Sequence, residues 1–210
     1  MLRLLLAVSL AFAGLAGQEA PALRSTPEEQ AVVRELTKIR RFPKEYAKYL
    51  RALGTHFQGT LWRLADHVPI RTQEGRRAVL EAAEFLEQVP AVAGVLAWSE
   101  GLHAAAREHV RGQGPTGRTG HAGVDGSTPQ ERILRHGEPG ALTGEVINYG
   151  EETPRMTVIQ LVIDDGVPDR GHRKLIFSGK FQAAGAAIGF HRDYGAMTVV
   201  DLADSFKAGE

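Results

Sequence analysis

The chain contains no cysteine. That removes thiol catalysis, thiolate metal sites, disulfides and any lipid-attachment cysteine together. With 210 residues it is long enough to bury a sizeable core without covalent staples, and the length fits one domain or one domain with a short appendage. It also lacks an excess of either charge: 25 Lys plus Arg balance 25 Asp plus Glu. No global field would draw it to nucleic acid or to an anionic membrane. No apolar run reaches the roughly 20 residues of a membrane-spanning helix. Walker loops, GxSxG elbows, HExxH motifs and internal repeats are all missing. Asp164-Asp165-Gly166 lacks the ligand spacing of a calcium loop.

The composition that is present is ordinary for a globular protein, with 43 % apolar and 24 % charged residues. The N-terminus is distinctive. Arg3 precedes the apolar run Leu4 to Ala13, and small residues crowd Ala11 to Gly17. This is the pattern of a secretory signal peptide over residues 1–17, and it predicts a secreted or periplasmic product with no integral span in the mature chain. Residues 18–26 read as a linker.

Thr26, Pro27 and Glu29 form a capping box ahead of Val32, Val33, Leu36 and Ile39, which predicts a helix. Pro43 opens a second, with Tyr46, Tyr49, Leu50 and Leu53 on one face. Thr72 is the expected cap of a third, and Gly54 to Ile70 reads as a loop between them. Ser99 begins an alanine-rich fourth helix. Thr128 to Glu131 repeats the capping pattern, and Thr153 caps a helix over Pro154 to Ile163. Ala183 to His191 and Ala196 to Ala203 are strand-like, joined by Arg192 to Gly195. Helices precede strands, so the class is α+β.

Gly112 to Gly117 fits GxGxxG, but a helix precedes it and a loop follows, the reverse of a dinucleotide site. Most of the eight histidines read as surface or half-buried residues, and His103 and His109, six apart on one helix, share no face. His121 and His172 differ, since each follows a glycine in an irregular segment, where backbone yields space to a ligand or simply turns. Glu145 sits on the short apolar stretch Gly144 to Ile147, where a buried carboxylate needs partners or a raised pKa. Asp164 and Asp165 end an apolar helix against its dipole. They call for a compensating cation such as Arg170, Arg173 or a metal, or form a plain Asp-Gly turn.

Taken in order, several segments resemble the CAP superfamily of cysteine-rich secretory, antigen 5 and pathogenesis-related proteins, in its bacterial, cysteine-free branch. They are Leu96 to Leu102, Gly120 to Ser127, Arg132-Ile133, Gly144 to Ile147, Asp164 to Val167, Arg170 to Arg173, Ala187 to Phe190 and Met197 to Val200. The resemblance covers about residues 95–206. Arg40 to Tyr46 resembles the family's opening helix, so 27–94 becomes an N-terminal helical segment with residues 54–90 as an insertion. The resemblance implies an α-β-α sandwich with a central antiparallel sheet and a cleft holding two histidines and two acids. His121 and His172 match the histidines and Glu145 the first acid. Asp164 matches the second, with Asp165 as the register alternative. Val146 stands where the family has Asn, an Asp where it has Glu, and Leu161 is nearest to its tryptophan. The site so implied offers His121 and His172 to a divalent metal, zinc first, with Glu145 and Asp164 as candidate catalytic residues. The expected ligand is a small molecule, lipid or cell-envelope component. The alternative is a metal-dependent esterase or peptidase.

Overall fold

The computed structural model describes residues 24–65, 68–151 and 153–209. Residues 1–17, expected to be a signal peptide, residues 18–23 of the expected linker and His67 lie outside the described residues. The elements in chain order are α1 (Pro27–Arg41), α2 (Pro43–Leu53), β1 (Phe57–Gln58), β2 (Leu61–Trp62), β3 (Ile70–Arg71), α3 (Arg76–Gln88), β4 (Ala97–Trp98), α4 (Glu100–Gln113), α5 (Pro129–Leu134), β5 (Gly137–Pro139), β6 (Thr143–Tyr149), α6 (Pro154–Ile163), α7 (Gly171–Ile176), β7 (Ala183–His191), β8 (Gly195–Ala203) and β9 (Phe206–Ala208).

Local chemistry fixes most helix starts. Thr26 Oγ1 accepts from the Glu29 N–H at 3.1 Å, and Glu29 Oε2 accepts from the Thr26 N–H at 2.7 Å. Thr128 and Glu131 close the same reciprocal box on α5, and Ser99 Oγ accepts from Leu102 N at 3.3 Å on α4. The third helix departs from expectation. It starts at Arg76 behind Gly75, whose φ of 66° favours glycine. Thr72 does not cap it; both its N–H and its hydroxyl donate to the Thr60 carbonyl. The segment expected to be a loop thus contains a small antiparallel sheet, β1-β2-β3. Its two-residue strands are too short to leave a period in the sequence.

The main sheet has the order β4-β7-β8-β6. Its long ladders are antiparallel, and β4 adds a short parallel pair, Ala97 opposite Ala183. Alternation divides the sheet into two faces. Ala184, Ala186, Val146, Val200 and Leu202 pack with α1, α2, α3 and α6. Ala183, Ala187, Ile147, Met197, Val199 and Ala203 pack under α4 and α5. The result is an α-β-α sandwich of α+β class. Close approach of α4 explains its alanines and one glycine opposite: a Cβ on Gly185 would lie 2.0 Å from His103 N. The GxGxxG match has a packing cause too, since a Cβ on Gly114 would meet the Phe190 carbonyl oxygen at 2.1 Å.

Candidate functional site

Strand β6 carries Glu145 on the α4 face, with its side chain 1 % exposed. A buried carboxylate is costly unless every lone pair finds a donor. Glu145 Oε1 accepts from His121 Nδ1 at 2.8 Å, and Oε2 accepts from Arg132 Nη2 at 2.7 Å. Arg132, also 1 % exposed, donates through Nη1 to the carbonyls of His121 and Ser127. One guanidinium therefore fixes both the acid and the backbone of the loop bearing His121.

That loop is pinned again at Gly120, whose φ is +95°. The Gly120 carbonyl accepts from His109 Nε2 at 3.0 Å and Gln113 Nε2 at 2.7 Å, and its N–H donates to the Tyr149 hydroxyl at 2.9 Å. Burial holds the His109 pKa below its ordinary value, which keeps the ring neutral for this contact.

The second acid–histidine pair stands at the end of α6. Asp164 adopts the left-handed region, φ 58°, as the C-cap. Its Oδ1 accepts from His172 Nδ1 at 2.8 Å, and its Oδ2 accepts from the His172 N–H at 3.0 Å. His172 lies in the first turn of α7, not in irregular chain, so Asp164 serves the helix start and the ring at once. The cations expected at the end of α6 are both in place. Arg173 donates to the carbonyls of Val162 and Ile163, and Arg170 to that of Asp164. Asp165 turns elsewhere. Its oxygens accept from the N–H groups of Gln73 and Glu74, tying the loop to the segment before α3. Of the two neighbouring acids, Asp164 is the one paired with His172.

The two pairs meet. The His121 and His172 ring centroids are 6.3 Å apart, 51 residues apart in sequence, and the rings are 48 % and 22 % exposed. A carboxylate only accepts, so in each neutral ring Nδ1 carries the hydrogen and Nε2 keeps its lone pair. Val146 points to the opposite face and is fully buried in the larger core. The residue after Glu145 therefore lies away from the site.

Behind Glu145 lies a residue that no sequence signal singles out. Asp201 is fully buried and sits opposite Glu145 in the β6–β8 register. Neither of its oxygens has a well-formed hydrogen bond to a described residue. Burial first, then the negative charge of Glu145, push its pKa well above the ordinary value. His103, His109 and His191 are buried as well, contrary to the expected surface or half-buried setting; each ring reaches a backbone carbonyl.

A cleft of about 480 Å³ opens beside His172. Asp164, His172, Tyr149 and Tyr194 line it, together with Ile70 to Gln73 of the segment after β2. Among the described residues, no group of three or more His, Cys, Asp or Glu side chains gathers where one ion could bind. No described helix is long and apolar enough to cross a membrane.

Among solved structures, an extracellular protein containing a SCP domain from Bacillus anthracis is 17 % identical with a TM-score of 0.42, over 60 % of this chain and 38 % of that one. An outer surface protein from Borrelia burgdorferi is 22 % identical with a TM-score of 0.43, over 54 % of this chain and 78 % of that one. The chain thus spans well under half the length of the Bacillus protein. No curated protein matches the sequence. Residues 91–202 match the model of the CAP family, described as the cysteine-rich secretory protein family, and with more than half of its length in that match the chain belongs to this family.

Proposed function

We propose that this is an exported protein whose cleft binds a small amphipathic or cell-envelope ligand beside a divalent ion, zinc first, taken between His121 and His172. The observation that carries the reading is the pair of facing imidazoles, each oriented through Nδ1 by a buried carboxylate. The donor type suits the ion. A Zn–N bond of about 2.1 Å plus about 1.1 Å from nitrogen to ring centre gives roughly 5.2 Å between ring centres at the tetrahedral angle of zinc. The 6.3 Å separation exceeds that value, and rotation of the half-exposed His121 ring would bring the two rings closer. Two protein nitrogens leave coordination positions for a ligand, whose polar end the ion would polarise. Glu145 and Asp164 hold the rings in the tautomer that leaves Nε2 free to ligate.

The hydrolytic reading, with Glu145 or Asp164 as base, is weaker on the same geometry. Each carboxylate is 1 % exposed and already engaged, Glu145 accepting two hydrogen bonds and Asp164 three. Zinc affinity, measured by chelator competition in the intact protein, tests the shared site. His121→Ala and His172→Ala should each lose most of the binding, while His56→Ala, at an exposed position, should keep it. Acidification should weaken binding, because an imidazole must lose its proton to ligate. Equal affinity in all three variants would sink the shared site. Export is tested separately by N-terminal sequencing of extracellular or periplasmic material, which should lack Met1 to about Gly17.

A further inference from the structure

The cleft runs along the edge of a strand. Ile147, Asn148 and Tyr149 are consecutive in β6 and their side chains alternate between the two faces of the sheet, yet all three line it. Strand β6 ends the main sheet, so among the described residues one side of its backbone has no neighbouring strand.

The hydrogen-bond phase identifies which groups face that side. The N–H of Gly150 donates to Ala196 O at 2.9 Å, and that of Asp204 to Leu142 O at 3.1 Å. Both contacts follow the β6–β8 register, in which Thr143 lies opposite Ala203 and Tyr149 opposite Met197. In an antiparallel ladder, residues that bond to the partner alternate with residues that turn their N–H and C=O away. Gly144, Val146 and Asn148 therefore bond to β8, and Ile147 and Tyr149 turn both groups to the open side. No hydrogen bond joins the backbone groups of Ile147 or Tyr149 on that side to any described residue.

A second stretch of the lining has the same character. Ile70, Arg71, Thr72 and Gln73 are consecutive and all line the cleft. Strand β3 is the end strand of the small sheet. The Thr72 N–H bonds to Thr60 O, which in the register Arg71 opposite Leu61 turns the backbone groups of Arg71 away from β2. Two strand edges thus line one cleft, and His172 belongs to the same lining.

We infer that this cleft takes an extended peptide, added as a strand to the free edge of β6 within the lining that His172 shares. The inference rests on the reading of the cleft as a ligand site and names the ligand's class. An unpaired edge offers one donor and one acceptor every second residue, and an extended polypeptide carries the matching period, whereas an acyl chain carries none. Ile147 and Tyr149 supply the two donor–acceptor sets, enough to pair a short stretch of main chain.

The test uses the full chain with an array of N-acetylated, C-amidated decapeptides, and palmitate and chitotetraose as competing probes. A binding peptide is then rescanned with single N-methyl groups. Methylation at alternate positions should cost about tenfold in affinity, the size of one lost backbone hydrogen bond, and intervening positions should change little. The peptide should also slow amide exchange at Ile147 and Tyr149 relative to Val146 and Asn148. A bound peptide with no period-two pattern overturns strand addition. Binding of palmitate or chitotetraose without any peptide overturns the peptide and leaves the cleft reading standing. Binding of none of the three overturns both.

Discussion

His121 and His172 face each other with their ring centroids 6.3 Å apart, and in both rings Nδ1 is already bonded to a buried carboxylate. The free Nε2 atoms are thereby aimed by groups that need not touch an ion themselves. Glu145→Gln and Asp164→Asn keep an oxygen acceptor for Nδ1 but remove its charge. Each should weaken zinc binding by about 10- to 100-fold, the range seen when such orienting partners are lost. Chelator competition measures this directly. Affinities equal to the parent in both variants would mean that the charge of the carboxylates does not support ligation by the rings.

The Arg132–Glu145 pair makes the next prediction. Both side chains are 1 % exposed, so removing one partner strands the other's charge or polar groups in the core. Arg132→Met should cost about 3–5 kcal/mol in denaturant unfolding. It should also loosen the His121 loop, which loses its donors to the His121 and Ser127 carbonyls. Arg132→Met with Glu145→Gln should cost less than the sum of the single changes, because the second change removes the stranded charge. Strict additivity would show that the two side chains do not act as a unit.

Much of this arrangement is legible in the sequence, for identifiable reasons. The Thr26 and Thr128 boxes, Ser99 and the two long strands are local signals, and each appears where its residues put it. The family resemblance brings out His121, His172, Glu145 and Asp164, which neither period nor spacing could join across 51 residues. Arg132 stands out in the sequence only as part of a matching segment. Its role depends on three acceptors that meet only after folding. Asp201 reads as one polar residue in an apolar strand, and its place opposite Glu145 follows from register, which no single strand reveals. The wall from Ile70 to Gln73 is hidden because its strands are two residues long.

The loop between Asp164 and His172 is held by acidic residues of α3 and the segment before it. Arg170 bonds Glu74 at 2.6 Å and Glu81 at 2.5 Å, and Arg173 bonds Glu81 at 3.1 Å. The Arg170 guanidinium and the Gly166 N–H hold the Glu74 carboxyl down to about 2. A carboxylate with a lowered folded pKa adds stability above the ordinary carboxylate range and loses it as pH falls toward that value. Thermal stability measured from pH 5 to pH 2 should therefore fall less steeply in Glu74→Gln than in the parent. Arg170→Ala should speed amide exchange at His172 and Arg173, whose N–H groups bond Asp164. Parallel acid profiles for Glu74→Gln and the parent would place the acid sensitivity elsewhere.

Asp201 has the opposite sign. Its carboxyl is fully buried beside Glu145, and burial raises its pKa well above that of an exposed aspartate. In the unfolded chain it titrates near about 3.9. Between that value and the raised folded one, the native state binds more protons than the unfolded state, so this group's contribution to stability declines as pH rises. Asp201→Asn keeps the shape and has no proton to lose, and its amide can donate toward Glu145. The variant should therefore be more stable than the parent at pH 7, with the gap closing as pH approaches 4. Paired thermal melts at the two pH values measure it. A variant less stable than the parent at pH 7, but equal to it at pH 4, would mean that Asp201 is ionised and well partnered in the native fold, and that burial does not govern its charge.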